Sequence, residues 1–180
     1  MHFTLADLVT DITQNAVEAG SSLVELEVSS GGGEFRFQVE DNGKGMTEEE
    51  LRRAIDPFVT DGIKHPNRKV GLGLPFLVQT AVQSNGGWDI KSEKGKGTIV
   101  TAWFDSNNVD IPPMGDIAGM FRTILMFDSN AEIIIRRKKL GGETEDGYEI
   151  IKSELADALG SLEDAGALLL LKEYLEGLEE

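Results

Sequence analysis

The 180-residue chain has no cysteine and only two histidines. Without cysteine there is no thiolate nucleophile and no thiolate zinc site. His2 and His65 lie far apart in the chain, so a histidine-ligated metal centre or a Ser-His-Asp triad is poorly supplied. Positive charge is scarce as well. Seventeen Lys and Arg against 32 Asp and Glu leave a net charge of −15, which argues against nucleic acid and anionic membrane as partners, because both need clustered cations. The longest Leu run, Leu168 to Leu171, is far too short to cross a bilayer. The start, Met-His-Phe-Thr-Leu-Ala-Asp, has no basic leader. Both features fit a cytoplasmic protein.

Hydrophobic residues make up 40% of the chain, enough for a core that needs neither disulfide nor structural metal. The acid is uneven, with 12 acidic and 2 basic residues between Glu143 and Glu180. One globular domain over residues 1–111 with an α/β extension over 112–180, parted near Pro112-Pro113, is the expected organisation.

Leu5, Leu8, Val9, Ile12, Ala16 and Ala19 mark one face of an amphipathic helix that Gly20 ends. Val24, Leu26 and Val28 alternate with acids, and after Gly31 to Gly33 so do Phe35, Phe37 and Val39 with polar residues, which predicts a hairpin. Thr47 and Glu50 have capping-box spacing for a helix to about Ile55, stopped by Pro57. Residues Asp56 to Val70 show no period and are read as a mobile loop. A helix with Pro75 in its first turn should follow Gly71-Leu72-Gly73-Leu74, and a hairpin should form around Lys94-Gly95-Lys96-Gly97. Beyond Pro113, Ile117 to Leu125 read as a helix, Ala131 to Arg137 and Tyr148 to Ile151 as paired strands, and the tail as helices capped by Ser153 and Ser161. Arg136-Arg137-Lys138-Lys139 reads as the wet end of a strand. The Leu-rich tail serves core or a dimer seam.

Several residue groups carry chemistry. Asp11, Asn15 and Glu18 fall in one stripe of the first helix, and Asn15 borders the apolar arc, where its amide oxygen can ligate a hard cation such as magnesium alongside phosphates and waters. The same stripe would also suit a solvated helix face. Asp41-Asn42-Gly43 is a turn sequence in its own right, but a capped helix follows it and Gly45 adds a second point of close backbone approach. A carboxylate there accepts hydrogen bonds only, which suits the exocyclic amine of adenine and not the carbonyl of guanine. Gly71-Leu72-Gly73 ahead of a helix offers bare N–H groups to phosphate oxygens. Phe76 stands where the Rossmann fingerprint needs its third glycine, and no Walker loop is present.

The order Asn15, Asp41-x-Gly43-x-Gly45, Gly71-Leu72-Gly73 and Gly95-Lys96-Gly97-Thr98 resembles the Bergerat-fold (GHKL) ATPases, the superfamily of gyrase, large heat-shock chaperones, histidine kinases and mismatch-repair ATPases. The resemblance covers roughly Phe3 to Phe104. Asn15 to Gly20 looks most like the mismatch-repair branch, and Asp56-Pro57-Phe58-Val59-Thr60 with Gly95-Lys96-Gly97-Thr98 like histidine kinases. It implies an α+β fold, a two-layer sandwich with a mixed, mainly antiparallel sheet covered by helices. It implies ATP and magnesium as cofactors, with Asn15 on the metal and Asp41 on the adenine amine. Gly43, Gly45 and Met46 would flank the nucleotide, Lys69, Gly71, Leu72, Gly73 and Leu74 would bind it on the phosphate side, and Thr98 would back the base. Pro57 to Val70 would form the lid, with Lys64, His65, Arg68 and Lys69 as its positive charge.

Asp11 is the departure. It occupies the place, four residues before Asn15, where hydrolysing branches carry a glutamate that activates water, and it is one methylene shorter. Slow or absent hydrolysis is expected. Only His2 precedes the first helix, so self-phosphorylation in the histidine-kinase manner is not expected. The resemblance leaves a stand-alone kinase or ATP switch acting on a protein partner or phosphoacceptor, an ATPase clamp that can act as a homodimer, and a non-catalytic adaptor as the functional readings.

Overall fold

A computed structural model describes residues 3–58, 73–142 and 146–180. In chain order the elements are α1 (Leu5–Glu18), β1 (Leu23–Gly31), β2 (Glu34–Asp41), α2 (Glu48–Ile55), α3 (Gly73–Gln83), β3 (Gly87–Glu93), β4 (Gly97–Asp105), α4 (Ile117–Leu125), β5 (Glu132–Leu140), β6 (Asp146–Ile151), α5 (Lys152–Leu159) and α6 (Ala165–Glu179). One six-stranded sheet runs in the order β3-β4-β2-β1-β5-β6. Its pairings are antiparallel except β1 with β5, which is parallel. The fold is α+β with a mixed, mainly antiparallel sheet.

The side-chain period of two sets which face is covered. Along β2, Phe35, Phe37, Val39 and Asp41 are buried while Arg36, Gln38 and Glu40 face solvent. α1 lays Leu5, Leu8, Val9 and Ile12 into the same core, each such side chain stabilising the fold by roughly 1.5–3 kcal/mol relative to exposure. Thr4 caps α1 and exchanges bonds with Asp7 in a full capping box, which fixes where the helix begins. Gly20, at φ 77°, turns the chain out of α1 toward β1. The Thr47–Glu50 box starts α2 in the same manner.

Residues 112–180 continue this sheet through β5 and β6, and Ile133, Ile135, Phe121, Leu171 and Leu175 share the core with α1. Two expectations for this stretch are corrected. Ser153 and Ser161 do not cap the tail helices: α5 begins after Ile151 and its Ser153 N–H donates to the Glu132 carboxylate, while α6 begins after Asp164. The run Arg136 to Lys139 is not simply a wet strand end. Arg137 is 4% exposed, because its alternate position on β5 points it inward, where it donates to Ser30 Oγ, Lys138 O and the Glu179 carboxylate. Among the described residues no helix is long and apolar enough to cross a membrane.

Candidate functional site

Strand register lays down the floor of the site. Asp41 ends β2 opposite Thr98 of β4, and Thr98 lies opposite Ser92 of β3, so three polar residues stand in one row across the sheet. Two residues further along, Val39 pairs with Val100 and supplies an apolar patch beside the polar row. Ile12, Asn15, Ala16 and Ala19 of α1 and its C-terminal turn form one wall, and Met46, Ala54 and Leu74 complete a cleft of about 270 Å³. Glu18, Lys44 and Gly45 also line it.

The Asp41 side chain is buried, at 9% exposure. Its Oδ1 accepts from Gly43 N–H at 2.8 Å and lies 3.2 Å from Ser21 Oγ. Burial raises its pKa above the ordinary carboxylate value, and the bonds from Gly43, Ser21 and the Thr98 backbone pull the other way. Gly43 has to be glycine because a Cβ would stand 2.7 Å from Ala19 Cβ and 2.8 Å from Ser21 Oγ. Gly45 combines a left-handed φ of 62° with close packing against the Glu93 carbonyl. Lys44 N–H donates to Ala19 O and Lys44 O accepts from Gly95 N–H, which stitches the loop after β2 between α1 and the β3–β4 turn. Ser92 Oγ accepts from Met46 N–H and exchanges a hydrogen bond with Thr98 Oγ1, both at 2.8 Å.

Gly73, at the start of α3, faces α1. A Cβ there would lie 3.3 Å from Asn15 Nδ2 and 3.8 Å from Asp11 Cβ. Three separated sequence segments therefore meet beside the cleft. Asn15, Asp41, Gly45, Met46, Leu74 and Thr98 line it, Gly43 backs Asp41, and Asp11 lies one helical turn before Asn15, on an exposed position next to Gly73. Lys69, Gly71 and Leu72, and the expected lid of Pro57 to Val70 from residue 59 onward, lie outside the described residues.

A family model described as histidine kinase-, DNA gyrase B- and HSP90-like ATPase matches residues 3–108. The chain belongs to this ATPase family. Relatives fall on two sides of it. The DNA mismatch repair protein MutL of Thermus aquaticus is 39% identical over 71 residues, 39% of this chain and 13% of MutL. The sensor histidine kinase ZraS of Escherichia coli K12 is 26% identical over 113 residues, 62% of this chain and 23% of ZraS. The chain thus spans less than a quarter of the length of either relative. Among solved structures, the N-terminal domain of a DNA repair protein superposes with a TM-score of 0.55 at 13% identity, covering 92% of this chain and 58% of that one. The shared fold therefore extends past the family match into the β5–β6 region.

The family binds ATP, and the residues present fit a purine nucleotide. An acid acceptor is buried at the base of an apolar cleft, and Gly43 and Gly45 bring backbone where side chains would collide. Sequence reasoning missed Ser21 and Ser92, which orient Asp41 and Thr98. The signal for Ser92 was available, since strand alternation from Trp88 puts it on the face of Ile90 and, through the hairpin, level with Thr98. Ser21 carries no such period.

Proposed function

We propose that the cleft binds Mg-ATP and that the chain works as a stand-alone kinase or regulatory ATP switch on a protein partner. One observation carries this: the Asp41 carboxyl is buried at the cleft floor, oriented by Gly43 N–H and Ser21, and offers an acceptor to an exocyclic amine. Val39, Val100 and Ile12 supply apolar surface to the purine, and Thr98, held by Ser92, backs it. Asn15, beside Gly73, would take magnesium through its amide oxygen. An ion held by this amide would take its remaining ligands from phosphate and water oxygens. Such an ion would supply neutralisation of the phosphate charge. Asp11 is the acid–base candidate, and its short reach favours slow turnover.

Calorimetric titration with ATP and magnesium tests the reading. Binding by the wild type, lost in Asp41→Ala, is expected; no binding at millimolar nucleotide, or undiminished affinity in the variant, refutes it.

A second reading, an ATPase clamp, is favoured by the MutL identity and the structural likeness beyond residue 108. Steady phosphate release abolished by Asp11→Asn supports the clamp. Label appearing on a partner with no free phosphate supports the kinase.

A further inference from the structure

Ser21 has one hydroxyl hydrogen and two acceptors. Its Oγ lies 2.6 Å from Ala16 O and 3.2 Å from Asp41 Oδ1. Ala16 O belongs to the last turn of α1, where Gly20 N–H turns to Val17 O and leaves Ala16 to the serine. The serine is buried, at 7% exposure, so a hydroxyl removed from this place is not replaced by bulk water. On its other side the acid is held by Gly43 N–H. Both contacts fall on the same oxygen, and a carboxyl held from two sides on one oxygen cannot turn about its Cβ–Cγ bond without breaking both. Without the serine contact the carboxyl keeps its backbone bonds from Gly43 and Thr98 but loses its tie to α1, so it turns more readily.

We propose that Ser21 is a positioning residue that sets how selectively the cleft recognises a 6-amino purine, by locking the plane of the Asp41 carboxyl to the end of α1. This rests on the reading of Asp41 as the acceptor for the base. The mechanism is one of orientation. A hydrogen bond to an exocyclic amine weakens steeply as its angle departs from linear, so an acid free to swing recognises the amine less well while leaving apolar contact with the ring unaltered. Ser21 touches Ala16, the neighbour of Asn15, so the same hydroxyl joins the residue that reads the base to the helix that carries the metal-binding amide.

The test compares two nucleotides on the full chain with magnesium by calorimetry: ATP, and purine riboside triphosphate, which has the same ring and phosphates without the amine. In Ser21→Ala, ATP affinity should fall severalfold as the bond to the amine loses its alignment, with purine riboside triphosphate unchanged. In Ser21→Thr, which restores the hydroxyl, the ratio of the two affinities should return toward the wild-type value. The ratio is taken within each variant, so a general loss of folded protein does not move it. Equal losses for both nucleotides, or no loss for either, overturn the proposal while leaving the Asp41 reading standing. A wild type that binds the two nucleotides equally well overturns that reading and this proposal together.

Discussion

Lys94 Nζ stands 2.9 Å from both carboxylate oxygens of Glu50, tying the β3–β4 turn to the first turn of α2 beside the cleft. Glu50 also closes the α2 capping box by accepting from Thr47 N–H. The Lys94 bond, followed by the Thr47 bond, lowers the Glu50 pKa below its ordinary value of 4.5. A lowered carboxylate pKa contributes stability that is present above the unfolded value and lost as pH falls through the folded one. The difference in Tm between wild type and Lys94→Ala should therefore be measurable near pH 7, shrink below pH 4.5, and shrink in high salt because the pair is exposed.

Asp41 has the opposite sign. Its raised pKa means that ionisation opposes folding: the stabilising contribution of the neutral form is complete below the ordinary value of 3.8 and fades as pH rises through the folded value. Asp41→Asn should consequently be at least as stable as wild type at pH 7 in urea denaturation, with that advantage gone in strong acid, while nucleotide binding is lost. A clear loss of stability at pH 7 would contradict this account of the burial.

Gly45 and Gly95 both adopt left-handed backbone, at φ 62° and 82°, yet a side chain at Gly95 would meet open space and one at Gly45 would run into the Glu93 carbonyl. Gly95→Ala should cost about 1 kcal/mol and Gly45→Ala distinctly more, toward 3 kcal/mol. Equilibrium urea unfolding of the two variants measures the gap, and only Gly45→Ala should weaken ATP binding, since Gly45 lines the cleft.

Arg137 joins β5 to the end of α6 through Glu179, which also accepts from Tyr148. Arg137→Met leaves that carboxylate without its cation in a mostly buried setting and should cost about 3 kcal/mol. Tyr148→Phe, which removes one hydrogen bond, should cost about 1 kcal/mol. Chemical denaturation distinguishes the two.

The parts of this molecule that the sequence discloses are those set by short-range rules. α1, both hairpins and the Thr47–Glu50 cap follow from period and spacing within a dozen residues, and the segments around Asn15, Asp41 and Thr98 reach one cleft because the family order reflects one fold. What escaped depends on partners distant in sequence. Arg137 is one of four consecutive cations, and only the pairing of β5 beside β1, with Ser30 and Glu179 within reach, makes it an interior residue. Ser153 looks like a helix cap until Glu132, 21 residues earlier, takes over its N–H. Ser21 sits in a short loop with no repeating neighbours, and its contact with Asp41 exists because β2 returns alongside β1.

The parallel seam between β1 and β5 has a practical bearing on where this polypeptide can be shortened. Stopping at residue 108 would keep every described residue of the cleft, yet strip β1 of its neighbour from Leu23 to Gly31 and bare a nine-residue row of backbone donors and acceptors. Exposed strand flanks of that length recruit other chains into intermolecular sheet. β5 thus shields the β1 edge, and trimming to the family boundary would trade a tidy fragment for a sticky one.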